Sequence, residues 1–63
     1  MTWFQLKDKQ FPQKGSWVLI RSSLKNLPKY EVCIYDGHGE WFIPAYDDSC
    51  VEKDIIEWCY IEK

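Results

Sequence analysis

Positions 30–44 read Tyr-Glu-Val-Cys-Ile-Tyr-Asp-Gly-His-Gly-Glu-Trp-Phe-Ile-Pro, and this stretch predicts a β-hairpin. Residues 30–35 and 40–43 are rich in β-branched and aromatic side chains, which fit a pleated, half-buried surface. The Asp-Gly pair between them is a strong hairpin signal, because the turn needs a residue that tolerates a positive φ. Gly39 permits a longer loop or a bulge, so the register of the hairpin is left open. Pro44 cannot donate a hydrogen bond to a sheet and is expected to end the second strand.

Three further strands are predicted around the hairpin, over residues 3–6, 17–21 and 55–61. The middle one is continuously apolar and is expected at the centre of the sheet. Residues 45–54 are irregular and acidic, and the Ser49/Glu52 pair resembles a capping box, which would start at most one helical turn. These elements predict an all-β fold, a small antiparallel sheet of about five strands rolled into a partly closed, SH3-like barrel. An open five-stranded sheet with one loop or helical turn across it is the alternative.

The chain is short for a globular protein, and its aromatic side chains are expected to supply the core. Its 63 residues predict a single small β domain, residues 1–63, and a domain of this size buries only about 60% of its unfolded surface. The chain has four Trp, four Tyr and three Phe, and each buried aromatic residue can hide about 150–250 Å². The predicted core draws on Trp17, Val18, Ile20, Val32, Ile34, Trp41, Ile43, Ile56 and Trp58. Strand alternation is expected to turn some of these side chains outward.

The sequence predicts a cytoplasmic protein with no membrane partner. No apolar run approaches the roughly 20 residues of a membrane span, and the first residues lack the basic and apolar segments of a signal peptide. Three cysteines, Cys33, Cys50 and Cys59, are an odd number. A disulfide framework is therefore not expected.

Charge is distributed unevenly along the chain, although the net charge is only −2. Residues 1–30 carry six basic side chains and one acidic side chain, a balance of +5, whereas residues 31–63 carry two basic and nine acidic ones, a balance of −7. One interpretation is that antiparallel neighbours from the two halves exchange opposite charges across strands. The other is a bipolar surface with an acidic face that meets a basic partner.

Several turn and aromatic positions resemble a family of short phage and bacterial proteins, the domain of unknown function family 551. The matching positions are Trp3, Lys7-Asp8-Lys9-Gln10-Phe11-Pro12, Gly15, Val18-Leu19-Ile20, Tyr35, Gly39-Glu40-Trp41 and Ile56-Glu57-Trp58. The chain departs from the family at Glu57, where the family often has His, at Phe11, which replaces Leu, and at Cys59-Tyr60-Ile61, which replaces Met-Pro-Leu. The resemblance implies a phage or prophage setting and implies no known activity.

No catalytic, metal or cofactor site is predicted. A zinc site would draw on Cys33, His38, Cys50 and Cys59, but the chain has no Cys-x-x-Cys pair. Nucleophilic catalysis would need an oriented base, and His38, in a tight turn, is the one histidine. The acidic residues 47–54 lack the alternating spacing and central Gly of a calcium loop.

The remaining hypothesis is a non-catalytic protein-binding module, such as a phage-encoded modulator of a host protein. Its predicted contact surface is the acidic loop Tyr46, Asp47, Asp48, Glu52 and Asp54, because clustered acids favour a basic partner. The alternative is a small nucleic-acid-binding β-barrel that uses the basic N-terminal half. That reading draws on Lys7, Lys9, Lys14, Arg21, Lys25 and Lys29, with Trp3, Phe4, Phe11 and Trp17 near them in sequence.

Overall fold

The computed structural model describes residues 2–61, and its six strands form one antiparallel sheet. Its strands are β1 (Phe4–Gln5), β2 (Trp17–Ser22), β3 (Tyr30–Tyr35), β4 (Glu40–Ile43), β5 (Asp48–Val51) and β6 (Ile55–Tyr60). The spatial order is β1-β6-β2-β3-β4-β5, and the connections include three single turns of 3-10 helix, at Leu6–Asp8, Pro44–Tyr46 and Glu52–Asp54. The prediction of an all-β, antiparallel fold is confirmed. The sheet does not close, so the barrel is a loose one. Within residues 2–61, none of the helices has the length and apolar character needed to cross a membrane.

The predicted hairpin is formed by β3 and β4, with Tyr35 opposite Trp41. Both glycines of its turn have a positive φ, 85° at Gly37 and 90° at Gly39, which settles the register that the sequence left open. The Asp36 carboxylate accepts hydrogen bonds from the N–H groups of His38 at 2.7 Å and Glu40 at 3.1 Å. The Asp36 side chain therefore stabilises the turn through two hydrogen bonds to the main chain.

Asp36 is expected to make the hairpin sensitive to acid. Hydrogen bonds from the His38 N–H, and more weakly from the Glu40 N–H, hold the pKa of Asp36 below its ordinary value of 3.8. A depressed pKa means that the carboxylate stabilises the fold fully above the ordinary value, and that this stability is lost as the pH falls through the folded-state pKa. We expect Asp36→Ala to lower the urea midpoint at pH 7, and the difference from the parent chain to shrink below pH 3.8. A difference that stays constant from pH 7 to pH 2 would contradict this role.

The structure contains one strand more than the sequence predicted. β5 lies within residues 45–54, which were expected to be irregular. Ser49 pairs with Phe42 inside this strand, so the predicted Ser49/Glu52 capping box does not form. The helical turn begins after Val51 instead, and the Asp54 carboxylate reaches back to the Val51 N–H at 3.3 Å.

The core lies on the concave side of the sheet, here called the inner face, which carries Val18, Ile20, Cys33, Trp41 and Trp58. Aromatic rings fill it. Phe4 stacks on Trp58 with 4.6 Å between ring centroids, and Tyr35 lies 4.6 Å from Trp41. The Trp58 indole N–H also donates to the main-chain oxygen of Gln10 at 2.9 Å, which ties the long β1–β2 connection to the core.

Four residues of the predicted core are exposed or only half-buried, because the sequence does not show which side chains of each strand face the core. Trp17 is 51% exposed and Ile56 is 36% exposed. Val32 and Ile34 are half-buried on the opposite, outer face, since their neighbours Cys33 and Tyr35 point inward. The buried residues that the prediction missed are Leu6, Cys33, Tyr35, Cys50, Ile55 and Cys59.

A register shift explains why Ile56 is exposed although it was predicted in the core. Arg21 pairs with Glu57 and Ser22 pairs with Ile55, so Ile56 is the extra residue of a β-bulge in β6. The bulge puts Ile55 and Trp58, three positions apart, on the same buried face. A strictly alternating strand would have placed them on opposite faces.

Candidate functional site

The five residues of the predicted acidic contact surface lie at both ends of the edge strand β5. Tyr46 and Asp47 precede it and Asp48 begins it, whereas Glu52 and Asp54 follow it in the last 3-10 turn. Tyr46 is 51% exposed, and Asp47 has a left-handed backbone with φ 48°. The structure therefore divides the acidic loop into two groups separated by the length of β5.

Two of these acids accept hydrogen bonds from main-chain N–H groups at the edge of the sheet. The Ser49 N–H donates to the Asp48 carboxylate at 2.8 Å, and the Val51 N–H donates to the Asp54 carboxylate at 3.3 Å. Ser49 and Val51 alternate along the strand, so their N–H groups point to the same side, away from β4. Asp48 and Asp54 thus supply acceptors to edge donors that have no neighbouring strand.

The acids also differ in how their charge is balanced. Glu52 lies 3.9 Å from the Lys9 ammonium. In contrast, the ion pairs within residues 2–61 include neither Asp47 nor Asp48. Asp54 is absent from these ion pairs as well, so the uncompensated negative charge of the predicted surface lies with Asp47 and Asp48, beside Tyr46, and with Asp54 at the other end of β5.

The outer face of the sheet exposes a row of apolar side chains. Trp17 on β2 pairs with Ile34 on β3, and Ile34 pairs with Phe42 on β4. Trp17 is 51% exposed and Phe42 is 38% exposed. We call these three side chains the outer row. Phe42 lies opposite Ser49, which directly follows Asp47 and Asp48, so the acids stand at the β5 end of the row.

A polar row crosses the same face at the other end of the central strands. The Arg21 Nε donates to Glu57 at 2.6 Å, and the Gln5 amide donates to the same carboxylate at 2.7 Å. The hydrogen bond from Arg21, followed by that from Gln5, lowers the pKa of Glu57. Both ion pairs among residues 2–61 join the basic first half of the chain to the acidic second half. Arg21 and Glu57 do so across neighbouring strands, as the first interpretation of the charge asymmetry expects, whereas Lys9 and Glu52 lie at two 3-10 turns.

The cysteines do not converge with the histidine. Cys33 and Cys50 lie in the inner-face core and are hydrogen-bonded to each other, and the Cys50 thiol is 3.8 Å from the Trp41 main-chain oxygen. This hydrogen bond, followed by burial, raises the pKa of Cys33, so Cys33 stays a thiol at neutral pH. Cys59 pairs with Leu19 and lies outside that cluster, and His38 is at the exposed tip of the hairpin. Within residues 2–61, no group of three or more His, Cys, Asp or Glu side chains is arranged to hold a metal ion.

The six basic side chains of the nucleic-acid alternative are distributed over four parts of the molecule. Lys14 lies in the β1–β2 connection, beside Gly37 of the hairpin turn. Lys7 and Lys9 lie in and just after the first 3-10 turn, Arg21 is paired on the outer face, and Lys25 and Lys29 lie in the β2–β3 connection. Of the aromatic residues near them in sequence, Phe4 and Phe11 stack on core rings. Trp3 meets Tyr30, and Trp17 stands in the outer row.

An open groove of about 610 Å³ lies beside the first and third 3-10 turns. Three segments that are distant in sequence line it: residues 6–9, the hairpin turn at Gly39 and residues 51–55. No short motif signals such a site, because each segment contributes only one to four residues. The outer row was equally hidden from the sequence, since a continuously apolar strand does not show which of its side chains face solvent.

Comparisons with protein-family models, with curated proteins and with solved structures found no match for this chain. The resemblance to the domain of unknown function family 551 stays a prediction.

Proposed function

We propose that this chain is a non-catalytic protein-binding module whose partner presents apolar and basic side chains together. The observation that carries the proposal is the outer row, in which Trp17 and Phe42 remain exposed in the middle of an otherwise paired sheet. Exposed apolar patches on small proteins commonly mark interaction sites. Aromatic side chains, Trp above all, provide most of the binding energy at such sites.

The charge at the end of the outer row supports the basic character of the partner. Asp47 and Asp48 are exposed, lie outside the ion pairs of the described chain and stand beside the exposed Tyr46. Acids at the rim of an interface raise the association rate and the selectivity for a basic partner more than they add affinity. Glu52 and Asp54, at the far end of β5, are expected to contribute less, because Glu52 faces Lys9 and Asp54 is half-buried, whereas Asp47 and Asp48 are exposed.

The setting of this function belongs to the same proposal. Buried thiols such as those of Cys33 and Cys50 are typical of a reducing compartment such as the cytoplasm. That the chain is encoded by a phage and modulates a host protein rests on the family resemblance alone.

The proposal can be tested with peptides selected from a random display library on the immobilised full chain. We expect the enriched peptides to combine aromatic or aliphatic residues with Lys or Arg. Trp17→Ser should weaken a selected peptide by about 30-fold, which corresponds to the roughly 2 kcal/mol of a central aromatic contact. The double variant Asp47→Lys/Asp48→Lys should lower the association rate and its dependence on salt. Isothermal titration and surface plasmon resonance measure the two effects.

Ile56→Ser is the matched control, because Ile56 is also an exposed apolar residue but lies in the bulge of β6, away from the outer row. It should leave the affinity unchanged. Peptides that bind equally well to the Trp17→Ser and parent chains would contradict the proposed surface. Salt-dependent binding of a random single-stranded DNA, lost in Lys7→Glu/Lys9→Glu, would favour the nucleic-acid alternative instead. A dimer of the chain alone that dissociates in Trp17→Ser would replace the partner with a second copy.

A further inference from the structure

The groove beside the first and third 3-10 turns has an apolar floor and a cationic rim. Leu6 and Ile55 are 6% and 5% exposed, belong to the core and form its floor. Its rim carries Lys7 and Lys9 on one side and Lys53 on the other. The groove, of about 610 Å³, is within the roughly 300–1,000 Å³ of ordinary ligand sites.

The side chains that line the groove carry more positive than negative charge. Three lysines line the groove together with one acid, Glu52. Glu52 lies 3.9 Å from Lys9, and their side chains are 43% and 81% exposed, so this is a long, solvated ion pair. Solvent-exposed pairs of this kind contribute little to stability. A carboxylate from another molecule could therefore replace Glu52 beside Lys9 at little cost.

We propose that this groove binds an acidic peptide segment that carries at least one aliphatic side chain. The aliphatic side chain would rest on Leu6 and Ile55, and flanking carboxylates would meet Lys7, Lys9 and Lys53. This site is separate from the outer row and takes a ligand of the opposite charge, so it stands or falls independently of the proposed function.

The same observations disfavour a nucleic acid as the occupant. Binding of single strands relies on aromatic side chains on which bases stack, alongside a basic track that follows the backbone. Among the described residues, no aromatic side chain lines the groove. Within residues 2–61, the other basic side chains do not line the groove. Arg21 is paired with Glu57 on the outer face, Lys25 and Lys29 lie in the β2–β3 connection, and Lys14 lies in the β1–β2 connection beside Gly37.

An acidic peptide of sequence Glu-Glu-Leu-Glu-Leu-Glu, blocked at both ends, tests the proposal by NMR titration of the full chain. We expect the amide signals of Lys9, Gly39, Val51 and Lys53 to shift, and the affinity to fall as salt is added. Lys7→Glu/Lys53→Glu should weaken binding at least tenfold. Lys25→Glu, the charge-matched control outside the groove, should change it less than twofold.

A second variant separates a binding role from a structural one. Glu52→Gln removes the competing carboxylate from the rim and should tighten the peptide two- to fivefold. A structural role for the Lys9–Glu52 pair would instead weaken binding in this variant, and that result would overturn the proposal. It would also be overturned by signal shifts confined to other surfaces, or by ten-residue oligothymidine that binds these lysines more tightly than the peptide. Unaltered peptide binding in Trp17→Ser would show that the groove acts independently of the outer row.

Discussion

Replacing Trp58 by Ala is expected to remove a large share of the stability of this protein. Trp58 is 1% exposed, stacks on Phe4 and meets the edge of Tyr60 at 4.8 Å. Truncation of a buried Trp costs about 3–5 kcal/mol, whereas a small domain has only about 5–15 kcal/mol in total. At 4–8 °C for each kcal/mol, the melting temperature should fall by roughly 12 °C or more. Urea unfolding followed by far-ultraviolet circular dichroism measures the loss without relying on tryptophan fluorescence.

Trp17→Ala is the matched control, because it truncates the same side chain on the opposite face of the sheet. Trp17 is half-exposed, so its truncation should cost well under half as much as that of Trp58. Trp58→Phe should fall in between, since it keeps an aromatic ring but loses the hydrogen bond to the Gln10 main chain. Equal losses for Trp17→Ala and Trp58→Ala would mean that the two faces are assigned wrongly.

Gly37→Ala is expected to cause the second large loss, through the hairpin turn. Gly37 has φ 85°, and a Cβ atom there would lie 3.0 Å from both Cβ and Cγ of Lys14. An L-residue held in this conformation costs about 1–3 kcal/mol. The contact adds to that cost, because it involves the base of the Lys14 side chain, which can move only with its backbone.

Gly15→Ala isolates the contribution of this contact. Gly15 has a similar φ of 82°, but a Cβ atom added there meets nothing within 4 Å. It should therefore show the conformational cost alone and lose less stability than Gly37→Ala in the same urea titration. If the two variants are equally stable, Lys14 moves away from the added Cβ atom at no measurable cost, and the close packing of Lys14 on Gly37 does not contribute to the stability of the hairpin.

The sequence predicted the features that depend on neighbouring residues. The hairpin follows from the Asp36-Gly37 pair and its apolar flanks, because turn chemistry is local. β5 was missed, since Asp48 and Ser49 have low strand propensity and an edge strand needs little of it when one neighbour supplies the pairing. The bulge at Ile56 arises from the pairing with β2, so no pattern within β6 reveals it.

The sequence did not reveal either candidate surface, the outer row or the groove, and the reasons differ. Trp17 stands in a continuous apolar run, and such a run shows no alternation that separates the buried Val18 from its exposed neighbour. The groove brings Lys7 and Lys53 together across 46 positions of sequence, through two separate turns. Charge counting found the basic first half of the chain but missed Lys53, which belongs to the acidic half.

The carboxylates of Asp48 and Asp54 also bear on how copies of this chain behave when crowded. By accepting from the Ser49 and Val51 N–H groups, they occupy the donors that an incoming strand would need in order to extend the sheet. Both acids add negative charge at the same edge, so two copies that approach edge to edge repel each other. The protein thus exposes Trp17 and Phe42 on its face while the β5 edge disfavours fibril-like growth.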